Sequence, residues 1–146
     1  MPKRGMAWQR PLSFPSRSSL SSHFPVSVDL LHFIEMKPFT RTWVELRLGD
    51  EALAAVQTMI MAQPKLAPVV PGTGGLRKMR FSPRDWQTGK SGALRICYVY
   101  FEEFHIVTLN LVYPKSQKLD LRAAEKKAVS DFIDRQRVAF EKGRYN

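Results

Sequence analysis

The stretch "ALRICYVYFEEFHIVTLNLVY", residues 93–113, decides the fold class. Its two halves, 93–101 and 104–113, are rich in the β-branched and aromatic side chains that favour strands. The glutamate pair between them predicts a tight turn, and therefore an antiparallel hairpin. Upstream, "LRKMRF" (76–81) alternates apolar and cationic residues with the period of a strand. Together these segments predict a three-stranded antiparallel sheet.

Helical patterns flank this sheet. A short apolar strand, "HFIEM" (32–36), is followed by two helices that Gly49 separates, with Asp50 as the expected N-cap of the second. Gln63-Pro64 ends that second helix. A last amphipathic helix begins near Asp120, its expected N-cap. The order predicts an α+β domain over residues 31–146: short N-terminal strand, helical hairpin, three-stranded antiparallel sheet and C-terminal helix, with the helices on one face.

Residues 1–30 are rich in Ser, Pro and Arg and show no sustained period. This composition predicts a disordered leader or a mis-assigned extension outside the domain. The leader resembles a transit peptide in charge, but its apolar runs are too short for a secretory signal. Met36 offers an alternative start.

Charge narrows the range of partners. The chain has 23 Lys and Arg against 13 Asp and Glu, a formal net charge of +10. Such a surplus favours phosphate-bearing or acidic partners over neutral metabolites. No apolar run is long enough for a membrane span, so no membrane partner is expected. The single Cys97 in an apolar run favours a reducing compartment, and we expect a cytoplasmic protein.

Two nucleotide-binding motifs fail on spacing. "GKS" (89–91) would need a glycine at position 84 to form a phosphate loop, and that position is Arg84. In a dinucleotide loop begun by Gly72 and Gly74, the third glycine is replaced by Arg77. The glycines of "PGTGG" are instead predicted to let the chain turn with positive φ.

The basic strands offer a different site. Alternation along 76–81 places Lys78 and Arg80 on one face of the strand and Met79 on the other. Arg95 interrupts an otherwise apolar strand, where a charge must reach solvent, a carboxylate or a bound phosphate. An ion pair with Glu35 or Glu45 and a shared anion both remain open from the sequence.

Neither a histidine pair nor an acidic cluster with metal-ligand spacing is apparent in the sequence. We therefore expect no metal and no cofactor. Any phosphodiester chemistry would have to use Lys, Arg and Tyr side chains.

Three blocks occurring in order, "VVPGTGGLRKMRF", "GKSGALRICYVYF" and "IVTLNLVYPKSQKLDLRAAEKKAV", resemble the RelE/ParE superfamily of type II toxin–antitoxin systems. The HigB-like branch is the most similar, and the likeness covers about residues 33–135. The resemblance implies a microbial-RNase-like fold and a metal-free, ribosome-dependent mRNA endoribonuclease, an mRNA interferase that inhibits translation. In that reaction the RNA 2′-OH attacks the adjacent phosphodiester.

Carried over by position, the resemblance implies a catalytic set of Lys78, Arg80, Arg95, Lys115 and Tyr113. The arginines would hold the phosphate, Lys78 is the candidate base, and Lys115 or Tyr113 the candidate acid. The chain departs from RelE in having no tyrosine within 116–122, which leaves the acid and base roles open.

Further residues are candidate contacts to RNA or the ribosome. The cationic ones are Arg77, Arg84, Lys90 and Lys118. Trp86 could stack on a base or fold back on the domain. Lys126 and Lys127 are interpreted as the solvated face of the last helix.

Alternatives to the nuclease are a ParE-like toxin that binds DNA gyrase without cleaving RNA, and an inactive family member. An active toxin implies a cognate antitoxin, acidic and with a helix-turn-helix, encoded adjacently. Ribosome and mRNA are then the targets, and operator DNA is reached only through the antitoxin complex.

Overall fold

The computed structural model describes residues 30–86 and 93–144. Nearly all of the predicted leader and the candidate contact Lys90 lie outside the described residues. The elements are β1 (His32–Glu35), α1 (Lys37–Glu45), α2 (Asp50–Ala62), β2 (Leu76–Phe81), β3 (Leu94–Phe101), β4 (Ile106–Pro114) and α3 (Ala123–Glu141). A 3₁₀ turn, Glu102–Phe104, closes the β3–β4 hairpin. The predicted α+β class is confirmed.

The sheet has four strands and is mixed, which corrects the expected three-stranded antiparallel sheet. Its order is β1-β4-β3-β2, and β1 runs parallel to β4 with His32 opposite Ile106. Flanking bonds extend the pairing, since the Met36 N–H donates to the Leu109 carbonyl at 2.9 Å. A strand of four residues gains its hydrogen bonds by covering the open edge of β4.

The helices pack on both faces of the sheet, so the expectation of a single helical face is wrong. Helices α1 and α2 share a core with Ile96 and Tyr98 of β3. Helix α3 shares a second core with Cys97 and Val99 of the same strand. Strand β3 is buried on both sides because it alternates between two cores, and its nearly continuous apolar run reflects this.

The helical hairpin follows the sequence pattern closely. Phe39 and Trp43 of α1 are fully buried and their rings stack at 5.2 Å. The N-cap of α2 is Gly49, and Asp50 is the first residue of the helix, which corrects the predicted cap. Asp50 still lies where the positive end of the helix dipole favours a carboxylate. Helix α2 ends at Ala62, as predicted.

Helix α3 begins later than predicted, with Arg122 rather than Asp120 as its N-cap. The Arg122 N–H donates to Glu125 Oε1 at 2.9 Å, which satisfies a backbone donor at the helix start. Phe140 anchors the far end of the helix, with its ring edge-on to that of Phe101 at 4.9 Å. None of the described helices is long and apolar enough to cross a membrane.

The glycine turn between α2 and β2 holds strand β2 against α3. Gly72, Gly74 and Gly75 all have positive φ, as predicted. A Cβ built on Gly74 would lie 2.7 Å from Ser130 Oγ of α3, so the backbone approaches the helix closely. The fully buried Thr73 closes the turn, donating to the Val70 carbonyl at 2.7 Å and accepting from the Leu76 N–H at 3.1 Å.

Candidate functional site

Strand register gathers the predicted catalytic residues on one face of the sheet. Arg80 of β2 lies opposite Arg95 of β3, and Arg95 lies opposite Tyr113 of β4. One rung along, Lys78 lies opposite Cys97. Side chains directly opposite one another share a face, so all five belong to the α3 side. The structure thus brings Lys78, Arg80, Arg95 and Tyr113 together across three neighbouring strands.

Lys115 lies at the rim of this cluster. Its N–H donates to the Ala93 carbonyl at 2.8 Å, which extends the β3–β4 ladder by one rung beyond strand β4. Lys115 therefore follows Tyr113 by two residues at the open end of the sheet, and its side chain is exposed. Lys118 is exposed in the segment that leads to α3.

The floor of the cluster is a buried thiol. Cys97 has no solvent exposure, and burial raises its pKa to about 11, against the opposing effect of the Lys78 charge. Burial also raises the pKa of Tyr113 to about 12; the neighbouring Cys97, which shares a side-chain hydrogen bond with it, acts in the same direction, and Arg95 opposes both. At neutral pH the Tyr113 phenol therefore keeps its proton and can donate it.

Two cations of the cluster, Lys78 and Arg80, are available to an anion. Within the described residues, neither Lys78 nor Arg80 forms an ion pair, and both are exposed. Glu35, one of the two carboxylates considered as a partner for Arg95, accepts a hydrogen bond from the Thr40 hydroxyl at 2.9 Å. Arg95 is half-buried and donates to its neighbour's carbonyl at 3.3 Å. The exposed Lys78 and Arg80 on one face of β2 favour a bound phosphate.

Other predicted contacts lie elsewhere. Arg77 lies on the opposite face of β2 from Lys78. Its guanidinium donates to the carbonyls of Lys65 and Ala67 at 3.0 and 2.7 Å, so it anchors the segment that follows α2. Trp86 folds back on the domain and packs against the core shared by α1 and α2. Arg84 is exposed in a separate cleft beside Trp86.

One feature of the site was missed in the sequence. A cleft of about 610 Å³ wraps the outer edge of β2, with Lys78, Arg80 and Arg95 lining it. Its remaining wall is apolar except for Gln63 and comes from the end of α2, the segment after it and the sheet: Met59, Ile60, Gln63, Leu66, Ala67, Pro68, Met79 and Tyr98. No local pattern joins these positions, which only the tertiary fold brings together.

No family model matches the chain. Among the described residues, no group of three His, Cys, Asp or Glu side chains is placed to hold a metal ion.

We expect the free energy of unfolding to fall between about pH 9 and pH 11. The Cys97 thiol titrates near 9 when exposed and near 11 when buried, so over this window the unfolded chain loses a proton that the folded chain keeps. Cys97 contributes a loss of about 2 kcal/mol, and Tyr113, whose pKa is raised from 10 to about 12, adds to the loss above about pH 10. Urea unfolding at pH 8, 9, 10 and 11 measures it.

Cys97→Ala is the matched control for this pH dependence. The variant leaves a cavity and is less stable at every pH, but its stability should fall less steeply over the same window. Parallel curves for the two proteins between pH 9 and pH 10 would show that Cys97 does not contribute to the loss.

Proposed function

We propose that the chain is a HigB-like toxin that acts as a ribosome-dependent mRNA endoribonuclease. The observation that carries the proposal is the shared face of Lys78, Arg80, Arg95 and Tyr113 on three adjacent strands. These residue types suffice for phosphodiester cleavage by an internal nucleophile, which needs charge stabilisation and proton transfer.

Arg80 and Arg95 would bind the phosphate. Arg80 and Arg95 are direct cross-strand neighbours, so both guanidinium groups can reach one phosphate. Two donor forks around a phosphate stabilise the extra negative charge that develops as the 2′-oxygen attacks phosphorus. Neighbouring cations repel one another in the free protein, and an anion between them relieves that repulsion.

Lys78 and Tyr113, which lie beside the arginines, would transfer the protons. In its neutral form the Lys78 amine would take the proton of the 2′-hydroxyl as the 2′-oxygen bonds to phosphorus. The bond from phosphorus to the 5′-oxygen breaks, leaving a 2′,3′-cyclic phosphate. Tyr113, which stays protonated at neutral pH because its pKa is raised, gives its proton to the leaving 5′-oxygen. Lys115 at the rim is the alternative donor.

The partners follow from the charge. A protein of net charge +10 associates readily with ribosomal and messenger phosphates, with an affinity that falls as salt rises. An acidic antitoxin encoded adjacently would neutralise the same surface, and operator DNA would be bound through that complex. A compartment with ribosomes and reduced thiols, the cytoplasm, suits both this target and the free Cys97.

A second candidate is a ParE-like toxin that inhibits DNA gyrase by contact. The observation that favours it is the apolar wall of the cleft beside the cations, because exposed apolar surface is typical of protein contacts. This function requires no cleavage of RNA.

Induction of the full chain, followed by mapping of transcript ends, separates these functions. The nuclease produces new 5′-hydroxyl ends within translated codons, and the purified chain produces the same ends only when ribosomes are present. Intact transcripts together with broken DNA would support the gyrase function. Neither lesion, with cells growing normally, would indicate an inactive family member.

Tyr113→Phe should slow cleavage roughly tenfold, because it removes the donor hydroxyl and leaves Lys115 as an alternative donor. RNA affinity should stay unchanged, since the ring and the cations remain. Single-turnover cleavage on saturating ribosomes measures the rate, and filter binding measures the affinity. An equal rate in the variant would exclude Tyr113 as the proton donor.

A further inference from the structure

The outer edge of β2 is only half covered. Beside the first half of the strand, the Val70 N–H donates to the Leu76 carbonyl at 2.7 Å, and the Lys78 N–H donates to the Pro68 carbonyl at 3.0 Å. This pairing ends at residues 68 and 78. Backbone groups of alternate residues point to the same side of a strand, so the N–H of Arg80 points outward as that of Lys78 does.

Past that point the edge is open. Among the described residues, no backbone partner is found for the Lys78 carbonyl or for the N–H and carbonyl of Arg80. Open edge groups of this kind accept an added strand. The half that remains open is the half that borders the cleft.

An apolar wall stands beside these open groups. Leu66 is 74% exposed and Met59 is 48% exposed, and both line the cleft together with Met79 and Tyr98. Exposed large apolar side chains next to open backbone groups are what a docked strand covers, with backbone bonds giving affinity and alternate side chains filling pockets.

The charge of the cleft selects its occupant. Three cations, Lys78, Arg80 and Arg95, line it, and no aspartate or glutamate does. We propose that the Lys78–Phe81 edge is a docking site for an extended acidic segment of a partner protein, which adds a strand to β2 and places apolar side chains against Met59 and Leu66. This inference does not depend on RNA cleavage.

Charge also argues against the two other occupants. A second copy would bring its own β2 cations against these, and like charges along an edge oppose pairing. An RNA strand would satisfy the cations but would leave the backbone groups of Arg80 without a β-type ladder. An acidic peptide strand satisfies the cations, the backbone groups and the apolar wall together.

The probes are capped heptapeptides in which Glu alternates with Val, Leu or Phe, each also made with N-methylated backbone amides and with Lys in place of Glu. Nuclear magnetic resonance of the labelled full chain locates binding, and hydrogen exchange reports protection of the Arg80 amide. We expect binding at high micromolar peptide with protection of that amide. N-methylation and Lys replacement should each weaken binding at least tenfold.

Two pairs of variants separate the contributions of backbone, charge and apolar wall. Arg80→Ala removes the cation and keeps the N–H, whereas Arg80→Pro also removes an outward N–H that the β2–β3 ladder does not use. The proline variant should bind at least tenfold more weakly than the alanine variant. Leu66→Glu should weaken binding about tenfold by adding a repelling charge, whereas Val138→Glu on α3 should not. Thermal unfolding verifies that each variant is folded.

The proposal is overturned if no peptide in the set shifts residues of the cleft at 1 mM. It is also overturned if N-methylation leaves the affinity unchanged, because binding would then not use the edge. A chain that sediments as a dimer disrupted by Arg80→Pro would assign the edge to a second copy. If single-stranded RNA shifts the resonances of the cleft residues and no peptide does, the edge is assigned to nucleic acid. A loss of RNA cleavage has no bearing on these outcomes.

Discussion

Arg95→Ala should lower the rate of ribosome-dependent mRNA cleavage about a hundred- to a thousandfold and abolish growth arrest on induction. Arg95 lies between Arg80 and Tyr113 in one cross-strand row, so it is the cation central to any phosphate held there. Removing one preorganised donor from developing negative charge costs enzymes about this much. Arg95→Lys keeps the charge but loses the planar fork, and we expect an intermediate rate.

Arg41→Ala is the matched control, because it removes one exposed arginine from α1 and so makes the same change in net charge. It should leave cleavage unchanged. Single-turnover cleavage on saturating ribosomes measures these three variants and Arg80→Ala, and thermal unfolding verifies that each is folded. If Arg95→Ala and Arg80→Ala both cleave at the parental rate while folded, the cluster is not the site of chemistry.

The central part of the fold could be predicted because its signals are local. Alternation along Leu76–Phe81 separates cations from apolar residues with period two, and the structure has the strand at these bounds. The same parity predicts that Lys78 and Arg80 share a face. It could not predict which strand lies beside them, and the meeting with Arg95 and Tyr113 depends on register set by the whole sheet.

Most of the expectations that the structure corrects concern long-range packing. A short strand such as β1 carries no signal that says which neighbour it will join, or in which direction. The placement of α3 on the second face did have a signal, the run Ile96–Val99 without a polar residue, since only a strand buried on both sides is apolar throughout. Local sequence favours Asp50 and Asp120 as N-caps, whereas the helices begin after Gly49 and Arg122.

Strand β2 serves two surfaces at once, which links the two proposals. The side chains of Lys78 and Arg80 lie on the same face as Arg95 and Tyr113, and the backbone groups of the same two residues point outward to the open edge. A segment docked on that edge with its own carboxylates would occupy the cations. Edge docking would therefore exclude RNA from the cluster by competition for charge, with no change in the fold required.

Gly74→Ala should destabilise the domain by about 3 kcal/mol and lower the melting temperature by roughly 10 °C. Two costs add. The residue has φ of +76°, where an alanine is strained, and its new Cβ would lie 2.7 Å from Ser130 Oγ and 3.4 Å from the Ser130 Cα. The turn must then move away from α3, which loosens the start of β2. Thermal and urea unfolding measure the change.

A double-mutant cycle with Ser130→Ala divides this loss between its two causes. Removing the Ser130 hydroxyl relieves the closest contact and should restore about 1 kcal/mol, while the backbone strain at residue 74 persists. Gly49→Ala is the control substitution, because φ there is −101° and nothing lies within 4 Å of an added Cβ. It should cost less than about 1 kcal/mol, through the poorer N-cap alone. Equal losses at positions 74 and 49 would mean that the turn does not pack against α3 as described.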